Sequence, residues 1–391
     1  MTPTSMPKRA PRRAPGATSP FRPALLGLPF AELAEVLGGP GRALDVFRCL
    51  RQGHDPRTSD ALQPGARARI SAATDFSPPT VARQTVAPDG TIKLLVATTG
   101  ASDKGANDEG ASDERNRADR NTSKVETVLI PQPKRTTVCV STQLGCARGC
   151  VFCLTATMGL RRNLEAHEIV AQVFAAISVA HEHGLPTVRN VVFMGMGEPL
   201  DNPSAVSRTI DVLSGGRGFG FGPRFITVST VGPSLERIRQ AAALPVQLAW
   251  SLHSARDEVR RTLVPTQPRS THVKDMAEAF REVCAQKRAP LFVELTLMDG
   301  VNDTHEDIEA TIALFRAFET PVRFNLISWN PVPGTPFRSA TDERVLAFRR
   351  ALQTAGHVAT VRRARGANAT PGEGAACGQL VILEGRAQKP R

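Results

Sequence analysis

The sequence predicts an α/β fold, a parallel sheet with helices packed outside it, and two observations carry that prediction. From residue 145 onward, strand-like and helix-like patterns alternate through six or seven consecutive βα units. The glycine-rich and polar stretches fall just after the strand-like runs, where both open sheets and barrels bind their ligands. Alternation alone is satisfied by either form. A chain of 391 residues has room for one large α/β domain plus a small extra one.

Taken in order, the first 23 residues hold Lys8, Arg9, Arg12, Arg13 and Arg22 without an acid. They are Pro-rich and lack the apolar stretch of a secretory signal, so they read as a disordered basic tail. Residues 24–80 read as a small helical domain. Leu33, Val36 and Leu37 are expected on one helical face, Gly38-Gly39-Pro40 breaks the helix, and Ala43 to Leu50 resume it. Residues 81–131 form a β segment, with "TIKLLVATT" and "VETVLIP" (125–131) as strands. Between those strands, residues 100–124 carry almost no hydrophobic side chain beyond alanine and are expected to be a disordered insertion. The α/β domain then occupies 132–380, with a C-terminal tail at 381–391.

Within that domain, "HEIVAQVFAAISVA" places Ile169, Val170, Val173, Phe174 and Ile177 on one helical face. "NVVFMG", "FITVST", "VQLAWSLH", "LFVELTL", "VRFNLIS" and "VATVRR" are the strand runs. Helices are expected at 203–214, 233–243, 271–287, 305–317 and 342–354.

Composition narrows the setting. Hydrophobic residues make up 41% of the chain, as in ordinary soluble globular proteins. No apolar run approaches the ~18 residues that a membrane span needs. The formal net charge of +12 favours a polyanionic partner such as RNA or DNA. Seven cysteines, an odd number and unevenly clustered, do not look like a secreted disulfide framework; reduced cytosolic thiols doing metal or redox work fit better.

Three of those cysteines lie in "GCARGCVFC", residues 145–153. Cys146, Cys150 and Cys153, spaced C-x3-C-x2-C, suit three irons of a four-iron, four-sulfur cluster and leave the fourth iron open. A structural zinc site is the competing reading; it needs a fourth ligand, for which His167 and Cys139 are candidates. In "GMGEP", Gly195 and Gly197 let the backbone approach a ligand, and Glu198 offers a carboxylate for an ammonium group; a plain tight turn is the bland alternative. Ser229 ends "ITVS", Ser251-Leu252-His253 end "LAWSLH", and Asn330 precedes Pro331 in an extended conformation. His253 reads equally well as a satisfied structural histidine. Cys49 and Cys284 read as inert small hydrophobes.

In order, "VETVLIPQPKRTTVCVSTQLGCARGCVFC", "NVVFMGMGEPLDN", "ITVSTVG", "LAWSLH", "WNPVPG" and "GAACGQL" resemble a family of radical S-adenosylmethionine enzymes. That family methylates C2 of an adenine in 23S ribosomal RNA and in tRNA; related resistance enzymes that methylate C8 share most of the motifs. The resemblance runs from about residue 24 to 380. It implies a partial (β/α)6-type barrel with a small N-terminal helical RNA-binding domain. It also implies a [4Fe-4S] cluster on Cys146, Cys150 and Cys153, and S-adenosylmethionine held by Gly197, Glu198, Ser229, Ser251, Leu252, His253 and Asn330. By the same resemblance Cys377 carries a methyl group to the base, Glu126 removes the ring proton, and Cys139 displaces the product and leaves a disulfide. The implied partners are rRNA or tRNA and an electron donor such as flavodoxin, with a monomeric, cytoplasmic enzyme and no membrane.

Two other readings remain, C8 methylation and a non-catalytic, metal-bound RNA-binding protein. The joint presence of Cys139, Glu126 and Cys377 speaks against the second, because a binding protein needs neither two spare thiols nor a base. The chain departs from the family pattern in its long "RGANATPGEGAAC" link, in Cys49-Leu50-Arg51 replacing an aromatic pair, and in the 100–124 insertion.

Overall fold

The computed structural model describes residues 22–98, 123–319, 322–363, 365–366 and 373–382. The basic tail through residue 21, most of the 100–124 insertion, part of the link before Cys377 and the last nine residues lie outside the described residues.

The N-terminal unit holds three helices, α1 (Phe30–Leu37), α2 (Pro40–Arg51) and α3 (Pro64–Ala73). Gly38, with φ of 72°, takes the left-handed C-cap that ends α1, and Pro40 at the first position of α2 starts the next helix. Leu33 and Leu37 are buried, but Val36 is 37% exposed. The expected three-residue face is therefore a two-residue stripe. At about 100° per residue, Val36 points well away from Leu37, and a helix this short has only one packed side.

A single ten-stranded sheet follows, its strands in chain order except for one local hairpin. Strands β1 (Val81–Val86), β2 (Ile92–Thr98), β3 (Ser123–Gln132) and β4 (Arg135–Cys139) pair antiparallel. The hairpin is β5 (Gln143–Gly145) with β6 (Leu160–Asn163). Six crossovers then link β4 to β7 (Val188–Phe193), β8 (Ile226–Thr230), β9 (Gln247–Ser251), β10 (Phe292–Leu297), β11 (Arg323–Ser328) and β12 (Val358–Arg362), all parallel. The crossover helices are α4 (Ala166–Glu182), α5 (Pro203–Ser214), α6 (Leu235–Gln240), α7 (Asp257–Leu263) with α8 (Val273–Lys287), α9 (His305–Phe315) and α10 (Asp342–Thr354). These six βα units form a partial (β/α)6 barrel. The sheet stays open, with β1 and β12 at its edges.

Several boundaries differ from the sequence expectation. Strand β3 starts at Ser123, so Ser123 and Lys124 belong to the strand and not to the insertion; both pair with β2. A break between 131 and 132 falls inside β3, which hydrogen-bonds to β2 on one side and β4 on the other. The 81–131 segment is thus continuous with the barrel sheet. Strands β1 and β4 and helix α7 are additions. "VARQTV" carries Arg83 and Gln84 on an edge strand with mostly exposed side chains, which erases its alternation. Among the described residues no helix is long and apolar enough to cross a membrane.

One hydrophobic core joins these parts. It runs from Leu33, Leu37 and Phe47 through Val170 and Phe174 of α4 to the barrel interior. Phe76 meets Phe174 edge-on at 5.8 Å, and Phe47 meets Phe219 at 5.7 Å. The helical unit therefore packs directly on the outer layer of the barrel.

Candidate active site

The loop after β5 presents three thiols to one pocket at the carboxyl ends of the barrel strands, lined by Cys146, Cys150 and Cys153. Gly145 makes the loop possible. Its φ is 81°, and a Cβ there would lie 1.8 Å from the Gly159 carbonyl, which accepts a hydrogen bond from the Cys146 amide. Burial pushes the Cys146 thiol up to about 11 and raises those of Cys150 and Cys153; neighbouring thiols add to the effect at Cys146 and Cys150. Three such groups ionise together only if a cation sits among them.

A single metal ion is a poor match. Among the described residues no three His, Cys, Asp or Glu side chains stand where they could hold one ion. His167 instead pairs with Glu165 at 3.3 Å, and Cys139 lies on β4. Three thiols on separate corners of a cubane, with one corner left open, is the arrangement these residues fit.

Opposite the thiols, the strand ends converge. Gly195 and Gly197 pass so close to Val140 and Gln143 that a Cβ would lie 2.8 Å and 2.6 Å from their atoms, and Gly197 has φ of 100°. Glu198 is buried, its Oε1 accepting from the Leu200 amide and its Oε2 from the Val231 amide, both at 2.9 Å. Burial lifts its carboxyl to about 7 even against those amides and the Thr230 hydroxyl. Ser229 and Ser251 face each other with hydroxyls 3.0 Å apart. Leu252 is buried, and its amide donates to the Glu294 carbonyl at 3.1 Å.

His253 has φ of 61°, a left-handed conformation unusual for a side-chain-bearing residue. Its Nδ1 accepts from the Thr296 amide at 3.4 Å, so the ring proton sits on Nε2. Burial, reinforced by Arg260, lowers its pKa to about 3, and the ring is neutral. Its edge-on contact with Phe152 is 4.6 Å between ring centres.

Cys377 lines the same pocket and its residue is exposed, yet burial of the sulfur, with the Glu294 charge, raises its thiol. Its segment is tied down. Asn330 Nδ2 donates to the Cys377 carbonyl at 3.0 Å, the Leu154 amide to Gly378 at 2.7 Å, and the Thr155 hydroxyl to Leu380 at 2.6 Å. The Cys377 segment is thus anchored beside the last cysteine of the triplet. Burial raises the Cys139 thiol, and charge on Cys377 raises it further. Both thiols are free.

Glu126 does not line the pocket. It forms a buried ion pair with Lys93 at 2.7 Å, each side chain 4% exposed, and burial still lifts its carboxyl to about 7. Lys93 also donates to the Gly374 carbonyl at 3.0 Å, so the pair sits beneath the Cys377 segment.

Comparison with known proteins supplies the decisive observation. Residues 140–315 match the model of the radical SAM superfamily. The dual-specificity RNA methyltransferase RlmN of Syntrophobacter fumaroxidans is 43% identical over 264 residues, 67% of this chain and 74% of that protein. The RlmN of Desulfotalea psychrophila is 40% identical over 266 residues, 66% and 72% of the two chains. A solved radical SAM methyltransferase from Sphaerobacter thermophilus is 37% identical, with a TM-score of 0.77, over 92% of this chain and 99% of that one. The chain belongs to the radical SAM RNA methyltransferase family. It is an enzyme that methylates RNA with a [4Fe-4S] cluster and S-adenosylmethionine.

For a radical SAM methyltransferase, the sequence reading leaves several pocket residues unnamed. Glu294, Thr296 and Trp329 line the pocket. Glu294 is buried in the middle of β10, where its Oε1 accepts from Asn325 at 2.8 Å and burial raises its carboxyl. A carboxylate inside the apolar run "LFVELTL" is the signal that marks it. Lys93, inside "TIKLLV", carries the same kind of signal.

Proposed function

We propose that the enzyme methylates C2 of an adenine in 23S rRNA, tRNA or both, through a methyl group carried on Cys377. In this reading Cys146, Cys150 and Cys153 hold the cluster, and Gly197, Glu198, Ser229, Ser251, Leu252, His253 and Asn330 hold S-adenosylmethionine. When bound, the two supply the methyl group, an electron and the power to abstract hydrogen from an unactivated carbon. The observation that supports the proposal is Cys377 lining one pocket with the triplet, with Cys139 buried on β4 within range of its charge, although nothing local in the sequence joins these residues.

The chain's own residues then divide the work. Cys377 presents its thiol to the pocket that a base would enter. Asn330 fixes the backbone of that loop, and neutral His253 with Phe152 walls the cavity. Glu126, poised near 7, accepts a ring proton once the Cys377 segment shifts off the Lys93–Glu126 pair. The Cys139 thiol gives up its proton and attacks the Cys377 sulfur; the bond from that sulfur to the RNA-bound carbon breaks, that carbon keeps the electron pair and takes up a proton to become the methyl group, and a disulfide remains. In this reading the enzyme acts as a cytoplasmic monomer, takes its electron from a donor such as flavodoxin, and grips RNA phosphates with its basic N-terminal unit.

Two variants test the division. Cys377→Ala is expected to load no methyl group at 377 and to form no attachment to RNA. Cys139→Ala is expected to load the methyl group, add to the base and stall as a denaturant-resistant RNA adduct mapped to Cys377. Wild-type turnover by Cys139→Ala, or failure of both variants without an adduct, overturns the assignment. Mass spectrometry of nucleosides from treated RNA separates C2 from C8 methylation and identifies the RNA.

A further inference from the structure

Arg260, on α7, is among the largest fully buried side chains of the molecule, 1% exposed. Its guanidinium meets no carboxylate among the described residues. Nε donates to the Leu252 carbonyl at 3.0 Å, Nη2 to the Val231 carbonyl at 2.5 Å, and Nη1 to Gln267 Oε1. Asp257, one turn earlier, is committed to His272 at 2.8 Å, to the Val273 amide at 2.9 Å and to Arg261 at 3.4 Å. A buried cation with only neutral partners is strongly unfavourable unless an anion belongs beside it.

The surroundings say where that anion belongs. Val231, whose carbonyl accepts from Arg260, also donates its amide to Glu198. The end of α7 holds the triplet loop: the Leu263 carbonyl accepts from the Val151 amide at 3.1 Å, and Leu263 and Val264 pack with Cys150 and Phe152. The Thr266 hydroxyl, just beyond, donates to the Arg148 carbonyl at 2.8 Å. The charge of Arg260 reaches Cys150, Asp257, Glu198 and His253, though no carboxylate among the described residues forms an ion pair with it. It therefore stands behind the triplet, held by the two strand ends that face it.

We propose that Arg260 is the buried counter-charge of the iron–sulfur cluster, and that it eases the cluster's reduction by offsetting the negative charge an added electron brings. This rests on assigning the cluster to Cys146, Cys150 and Cys153. It makes Arg260 a positioning residue, one that acts through the cluster without touching substrate. A unit charge in a low-dielectric interior acts at this range with little screening. Arg260 also fastens the ends of β8 and β9, so charge and hydrogen bonding must be separated by experiment.

Anaerobically reconstituted full-length wild type, Arg260→Lys and Arg260→Gln are titrated for iron and for cluster midpoint potential, read by electron paramagnetic resonance and visible absorption. The lysine variant keeps the charge and loses the fork; the glutamine variant loses the charge and keeps donors. At a fixed potential, the reduced-to-oxidised ratio of Arg260→Gln is expected to fall about tenfold or more, a downward midpoint shift of at least about 59 mV for one electron. Arg260→Lys is expected to stay near wild type. Equal midpoints in all three, or equal shifts in both variants, overturn the proposal. Failure of the lysine variant to load iron also overturns it, since the charge alone then does not suffice. Wild type without iron defeats the cluster assignment itself, a separate outcome.

Discussion

Glu126 shows how one carboxylate's surroundings set its chemistry. In the unfolded chain such a group releases its proton near 4.5, whereas burial in the fold lifts it to about 7 against the pull of Lys93. Between those values the folded chain holds a proton that the unfolded chain has lost, so each rise in pH lowers stability. Glu126→Gln does not titrate. Relative to that variant, wild type is expected to be favoured at pH 5 and to lose the advantage by pH 7.5, as measured by denaturant unfolding of iron-free protein. A difference independent of pH would contradict the assignment. At the triplet the logic is reversed. Buried thiols resist ionisation without metal, so iron loading is expected to release protons, measurable in weakly buffered solution.

At the scale of elements, the segment around Cys377 behaves as an appendage of the cysteine loop. Two of its bonds come from Leu154 and Thr155, immediately after Cys153, and one comes from Asn330. Disordering the cysteine loop should therefore release it. Removing iron with a chelator is expected to raise amide hydrogen exchange across residues 373–382 together with 146–158, while β10 and β11 remain protected. Exchange that rises in the cysteine loop alone would show that the two segments are uncoupled. Helix α7 works in the same way from the other side, because its short length places Arg260, Leu263 and Val264 against the loop.

At the scale of the whole molecule, the helical unit and the barrel share one core. Phe47 is 1% exposed and packs on Phe30 within its unit and on Phe219 in the loop between α5 and β8. Arg208 of α5 reaches back to Glu32 at 2.6 Å and to the Gly27 carbonyl at 2.9 Å. Phe47→Ala is expected to cost about 3–5 kcal/mol, in a single unfolding transition. Two separate transitions would mean that the helical unit folds independently. For the same reason, deleting the unit would bare Phe174 and Phe219, so RNA affinity is better probed by charge changes. Arg48→Ala, at a 63% exposed side chain, is expected to weaken RNA binding and flatten its salt dependence without loss of fold.

The order of βα units, the cysteine triplet and the strand-end polar residues were legible in the sequence because each depends on local spacing. Apolar periodicity sets the helices, and C-x3-C-x2-C sets the thiols on one loop. The strand ends fix Glu198, Ser229, His253 and Asn330 at one rim of the sheet. Val36 went astray because a helix of eight residues has too few turns to fix its buried face. Strands β1 and β4 lack a strong apolar signature, and α7 carries its function in a single arginine. Only the tertiary structure decided that Cys377 lies at the triplet, that Glu126 is buried against Lys93, and that Arg260 is enclosed with no ion pair among the described residues. Those facts depend on which distant segments exclude water from one another. Burial and charge proximity arise when the sheet brings its ends together, and no local pattern in the chain encodes them.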